Sequence, residues 1–277
     1  MLFMKKQYNL ELIRNKAEAI RRNVVLMLKT DRGHLGGSLS IADIIATLYF
    51  GVMNFDPQNP RQKNRDRFIL SKGHSVVAQY ACLIELGVVP REMLSTLKRL
   101  GSPLQGHPDM RLCPGLEANT GSLGQGLSLA NGMALAARLD GEDHYVYVII
   151  GDGELSEGQV WEAAMAAAHY KLNRVIAFVD NNKLQATGPI AVRFNTEPYR
   201  EKFLAFGWNV LEIDGHSIPA ILEAVATAQD CPDQPTAIIA HTVKGKGVSF
   251  AENNPGFHHS AMSQDQFEKA LAELAAS

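Results

Sequence analysis

The chain has 277 residues, 46% of them hydrophobic and 20% charged, which excludes the disordered, collagen-like and disulfide-scaffold classes and suffices for one large core. Lys and Arg (27) nearly balance Asp and Glu (29), so no net basic field exists to attract nucleic acid or an anionic membrane. Three widely spaced cysteines, Cys82, Cys113 and Cys231, have no metal-ligand spacing; the N-terminus carries no sustained apolar stretch, and the longest apolar run, near 145–150, is far too short to cross a bilayer, so a cytoplasmic protein is expected.

In chain order, Leu10, Ile13, Ala17, Ile20, Val24 and Leu28 recur at three- and four-residue steps and predict an amphipathic helix. A loop over 29–38 follows, with Gly33, Gly36 and Gly37 around His34; Ser40, with Asp43 three residues on, reads as the cap of a helix carrying Ile41, Ile44, Ile45 and Leu48. A short strand over 67–70 stops at Ser71-Lys72-Gly73-His74, and a helix over 76–86 ends at Gly87. Thr120 to Gly126 is a glycine loop before the apolar run 127–137. A strand over 145–150 precedes Gly151-Asp152-Gly153, an Ala-rich helix spans about 157–170, and a strand over 175–179 precedes Asp180-Asn181-Asn182. The alternation continues with a strand at 208–213, a helix at 219–229 and a strand at 236–240, then a loop from Val248 and a small terminal helix. This order predicts an α/β fold, a mainly parallel sheet covered by helices on both faces, as a single domain over 1–277.

Ligands of open parallel sheets bind beyond the carboxyl ends of the strands, where Asp152 and Asn182 stand. Their separation of 30 residues matches one βαβ crossover, so two consecutive strands would present a carboxylate and a carboxamide at one edge. Magnesium takes six oxygens and commonly completes its shell with water and phosphate, so this pair leaves room for a diphosphate. Gly, Asp and Asn also dominate ordinary turns, but a turn explanation does not require that spacing. The glycine loop at 120–126, leading into a helix N-terminus, is a place that accepts anions, and helix packing or a tight turn explains it almost as well.

Gly151-Asp152-Gly153 with Asn181-Asn182 resembles the thiamin diphosphate motif. Gly33-His34-Leu35-Gly36-Gly37, Ser71 to His74, Gly106-His107-Pro108-Asp109 and Thr120 to Gly126 resemble, in order, the motifs of transketolase. The resemblance covers essentially the whole chain and matches the diphosphate-binding domain, which implies the thiamin diphosphate-binding fold and the N-terminal subunit of a split transketolase. That enzyme would move a two-carbon ketol unit from a ketose, expected to be a phosphate, to an aldose. By this resemblance Asp152, Asn182 and the carbonyl of Leu184 ligate Mg2+ or Ca2+. Gly121, Leu123, Gln125, Gly151, Gly153 and His74 lie at the cofactor, and His34, His107 and His258 serve the substrate. His259, beside His258, stands where relatives often carry glycine. Glu157 resembles an acid between two active sites at the family's dimer interface. The glutamate that engages the cofactor's pyrimidine belongs to the pyrimidine-binding domain, so the resemblance implies a separate C-terminal subunit, an α2β2 assembly, and no activity by this chain alone. The stretch 161–169 beside Glu157 is the candidate for the covered surface. His144, His169, His216 and His241 match no motif and read as ordinary histidines. Alternatives are a member of another thiamin enzyme, of deoxyxylulose phosphate synthase or 2-oxoacid dehydrogenase type, or a cofactor-binding module without catalysis. A nicotinamide dehydrogenase would need GxGxxG at its first strand turn, whereas 121–126 reads GxxGxG in mid-chain.

Overall fold

A computed structural model describes residues 8–29 and 32–275. In chain order the strands are β1 (Arg67–Leu70), β2 (Val146–Gly151), β3 (Val175–Asn181), β4 (Leu184–Gln185), β5 (Gly188–Pro189), β6 (Asn209–Asp214) and β7 (Thr236–His241). Five of them form one parallel sheet in the order β1-β2-β3-β7-β6, while β4 and β5 pair as a small antiparallel ribbon. The helices are α1 (Leu10–Met27), α2 (Leu35–Leu39), α3 (Ala42–Thr47), α4 (Val76–Glu85), α5 (Gln125–Asp140), α6 (Gly158–His169), α7 (Ile190–Arg193), α8 (Tyr199–Ala205), α9 (Ile218–Gln229) and α10 (Gln264–Glu273).

The period of two along the strands splits the interior into two cores. From β2, Tyr147 and Ile149 join Ile176 and Phe178 of β3 under α1, α3, α4 and α9, whereas Val146, Val148 and Ile150 join Ala177 and Val179 under α5 and α6. Such two-sided burial explains why these strands read as near-continuous apolar runs. The expected α/β sheet with helices on both faces is the architecture found.

Three local expectations are corrected. The loop expected over 29–38 ends at His34, because α2 already begins at Leu35; Thr30 and Asp31 lie outside the described residues. Ser40 caps no helix: its hydroxyl donates to the buried Asp180 carboxylate at 2.8 Å, its Oγ lying 3.1 Å from Gly37 O, and α3 starts after Ile41 without a side-chain cap. Leu10, the first member of the α1 stripe, is 40% exposed, while Ile13, Ala17, Ile20 and Val24 are buried. Among the described residues one helical stretch, 35–52, is long and apolar enough by length and composition to cross a membrane; 83% of it is buried in the core formed by α2, α3 and the turn after them.

Candidate active site

β2 and β3 are neighbours with Gly151 opposite Asp180, so Asp152 and Asn182 emerge side by side at the carboxyl edge of the sheet, as their spacing predicts. A cavity of about 330 Å3 opens there; His34, Lys72, His74, His107, Asp152 and Lys244 are among its lining residues.

Asp152 is almost completely buried. Its Oδ1 accepts from Gly153 N at 2.8 Å and its Oδ2 from Lys183 N at 2.5 Å, yet no cationic side chain of the described residues pairs with it. Burial, and then the neighbouring Asp180 charge, push this carboxyl up to about 7. Asn182 donates from Nδ2 to Asp180 Oδ2 at 2.9 Å, and its Oδ1 accepts from Leu184 N at 3.1 Å. The Leu184 carbonyl accepts from Lys244 Nζ at 2.8 Å. A buried carboxylate without a cation, a carboxamide oxygen and a main-chain carbonyl form a hard-oxygen set that fits Mg2+ or Ca2+, with further ligands drawn from a diphosphate. Among the described residues no group of three His, Cys, Asp or Glu side chains could hold a metal unaided.

Below this edge lies a network the sequence did not announce. Asp180 Oδ2 accepts from Lys72 Nζ at 2.6 Å, Ser40 Oγ at 2.8 Å and Asn182 Nδ2, and Thr242 Oγ1 donates to Oδ1. Burial alone would raise Asp180, but the Lys72 charge and these donors outweigh it and hold the carboxyl low. Lys244, also buried, is lowered to about 8, first by burial and then by the Lys72 charge, against the pull of Asp152 and Asp180. Two ammonium groups in one enclosed cavity are matched by a polyanion such as diphosphate. Lys72→Met would strand Asp180 as an uncompensated buried charge, and urea denaturation should show a loss of about 3 kcal/mol, largely recovered in Lys72→Met/Asp180→Asn. An unchanged midpoint for the single variant would contradict the pairing.

The glycine loop behaves differently from the expected anion cradle. At the head of α5, Gly124 N donates to Glu154 Oε1 at 2.7 Å and Gly126 N donates to Ser71 Oγ at 3.1 Å, while Ser71 Oγ itself donates to Glu154 Oε1 at 2.5 Å. Glu154 also takes Gly151 N at 3.0 Å, so a protein carboxylate occupies the place expected for a ligand anion. The loop packs too tightly for side chains: a Cβ on Gly73 would lie 2.5 Å from Thr120 Oγ1, and one on Gly126 2.4 Å from Ser71 Cβ.

The histidines come together from four segments. An antiparallel bridge between Gly33 and Ser260 sets His34 beside His258 and His259. Ring centroids lie 4.8 Å apart for His34 and His74, 5.1 Å for His74 and His258, 5.4 Å for His34 and His258, and 4.5 Å for His34 and His259. Burial and neighbouring charges lower His34 to about 3 and His258 to about 4, and depress His74 strongly and His107 as well, so neutral imidazoles line the cavity at pH 7. Lys98 stands at the rim, exposed and free of any carboxylate among the described residues. Its Nζ donates to Arg32 O at 2.5 Å, and its charge bears on His34, His107 and His259.

Gly121, Leu123, Gly151 and Gly153 also line the cavity. Gln125 and Glu157 do not: Gln125 bonds Gln159 on an exposed face, and Glu157 precedes α6 in the open. Of the stretch 161–169, Ala163, Ala164 and Ala167 are core; Glu162, Met165 and His169 are exposed, and α5 adds Leu129 and Leu139. His216, read as ordinary, is hydrogen-bonded at both ring nitrogens to other segments. Lys72, Glu154, Asp180 and Lys244 escape a reading of the sequence because each gains meaning only from partners distant along the chain.

A family described as "Transketolase, thiamine diphosphate binding domain" matches residues 14–275. The chain is 45% identical, over 95% of its length and 96% of the relative's, to a 6-deoxy-6-sulfo-D-fructose transketolase subunit of Clostridium sp. (strain MSTE9). It is 42% identical, over 92% of its length and 90% of the relative's, to an apulose-4-phosphate transketolase subunit of Phocaeicola vulgatus. The crystal structure of a transketolase from Campylobacter jejuni superposes with a TM-score of 0.90 at 32% identity, over 96% of this chain and 43% of that one.

Proposed function

Since the chain belongs to the transketolase family, through its thiamine diphosphate binding domain, we propose that it works as the diphosphate-holding subunit of a two-chain transketolase acting on sugars with an anionic terminus. The observation that carries the reading is the juxtaposition of the unpaired, buried Asp152 with Asn182 and Leu184 O, beneath two ammonium groups and beside four neutral imidazoles. Asp152, Asn182 and Leu184 O would hold the cation, Lys72 and Lys244 the diphosphate charge, and Gly121, Leu123, Gly151 and Gly153 its walls. When bound, thiamin diphosphate supplies the electron sink that lets a two-carbon unit leave one sugar and join another.

The chain's own residues do the positioning. His34, His74, His107 and His258 stay neutral and can donate to or accept from sugar hydroxyls and a developing alkoxide without a charge to desolvate. Lys98 and Arg32 at the rim suit a sugar phosphate or sulfonate, the two chemistries in the names of the relatives. The exposed face of α5 and α6, with Leu129 and Met165 and bordered by Glu157, is assigned to a C-terminal partner chain in an α2β2 assembly. Three free cysteines fit a reducing, cytoplasmic location.

The test is ketol transfer by this chain with its C-terminal partner, thiamin diphosphate and Mg2+, comparing a phosphorylated, a sulfonated and an uncharged ketose. The charged donors should be favoured about tenfold or more in kcat/KM, and Lys98→Ala should narrow that ratio. Efficient use of pyruvate in place of a ketose would instead identify another thiamin enzyme.

A further inference from the structure

We infer that His216 is a positioning residue: it mounts the turn that carries Lys244 and thereby sets one of the two ammonium groups facing the diphosphate pocket. The inference rests on the assignment of Lys244 to that pocket. The chain of contacts begins on α1, where Arg21 also passes 3.4 Å from where a Cβ on Gly247 would stand. Arg21 on α1 forks onto Asp43 on α3, with Nη1 3.0 Å from Oδ1 and Nη2 on Oδ2, and both side chains are buried. Asp43 Oδ2 then lies 2.7 Å from His216 Nδ1, on the turn after β6. At the other end of the ring, Val243 N donates to His216 Nε2 at 2.8 Å.

A backbone amide can only donate, so Nε2 must be the acceptor, and a neutral imidazole then carries its proton on Nδ1, where Asp43 accepts it. The two hydrogen bonds therefore fix both the tautomer and the orientation of the ring. Asp43 is itself held fixed: burial would raise its carboxyl, but the hydrogen bond from His216 and the charge of Arg21 bring it below its ordinary value. The relay ends one residue before Lys244. That side chain is 3% exposed, with Nζ on Leu184 O, and it passes 3.0 Å from where a Cβ on Gly36 would stand. Gly245 N donates to Gly36 O at 3.0 Å, which ties the same turn to the start of α2, just after His34. The segment after β7 has no ladder of its own, so the Val243 amide depends on the imidazole for its partner.

Three variants of the full chain test this: His216→Phe keeps the ring without nitrogens, His216→Asn shortens the polar reach, and His216→Gln keeps a donor and an acceptor. Hydrogen–deuterium exchange in the cofactor-free chain should rise at 242–247 for Phe and Asn and stay near wild type for Gln. Titration with inorganic diphosphate and Mg2+ should show about tenfold weaker binding for Phe and Asn, and within about threefold of wild type for Gln. In a Lys244→Met background, His216→Phe should cost nothing further, because the residue acts through Lys244. Unchanged exchange in His216→Phe and His216→Asn, or effects of His216→Phe and Lys244→Met that simply multiply, would overturn the inference. If wild type fails to bind diphosphate, the assignment of Lys244 falls, while the exchange data still decide whether His216 mounts the turn.

Discussion

Asp152→Ala should abolish ketol transfer, by on the order of 1,000-fold or more, while making the cofactor-free chain more stable at pH 8. Both effects come from one property. The carboxylate is buried, takes two main-chain N–H groups and faces no cationic side chain within pairing distance among the described residues, so it is placed for a cation the chain does not itself supply. Without it, only a carboxamide and a carbonyl remain, and neither brings negative charge to the cation. The sign of the stability effect follows from linkage. Folding raises this carboxyl from 3.8 to about 7, so between those values the folded chain holds a proton that the unfolded chain has released. Stability therefore falls as pH rises through that window, and by pH 8 the ionised group costs about 2–4 kcal/mol. Thermal unfolding of wild type and Asp152→Ala at pH 5 and pH 8 checks this: the variant should gain at pH 8 and little at pH 5. Added Mg2+ with diphosphate should stabilise wild type alone. A variant destabilised equally at both pH values would remove the argument.

The second large effect is dependence on a partner. Among the described residues two carboxyl groups line the cavity, Asp152 and Glu154, and both are committed. Glu154 serves Ser71 and the amides of Gly124 and Gly151, and Asp152 serves Gly153 N and Lys183 N. Neither can also act as the acid at the pyrimidine end of the cofactor, and losing such a group costs on the order of 100-fold or more. Ketol transfer by this chain alone should therefore match the no-enzyme background, and mixing with the proposed C-terminal subunit should restore it as a complex forms in light scattering. Turnover by the chain alone would show that one of its own groups suffices.

Asp152 and Asn182 were legible because each follows a strong apolar strand, and the strand order turns sequence spacing into spatial proximity. His34, His74 and His107 were legible from their glycine neighbours. Lys72, by contrast, acquires its role from Asp180, 108 residues away, and Ser40 from the same carboxylate 140 residues away. Propensity saw in Ser40 and Asp43 a local helix cap, whereas the fold uses one to hold Asp180 and the other to hold Arg21 and His216. The glycine loop misled for a related reason: a free helix N-terminus attracts any anion, and Glu154 arrives within the same chain before a ligand can.

That last substitution gives the pocket a filter. Free orthophosphate or sulfate, which settles readily on unoccupied amides, finds Gly124 N and Gly126 N at the head of α5 already taken, and a lone anion would have to face Asp152 as well. What the cavity rewards is a ligand that carries positive and negative poles a few ångströms apart, as a chelated diphosphate does. Saturation should therefore respond to the concentration of the metal complex, and simple salts of phosphate should be poor competitors even when abundant.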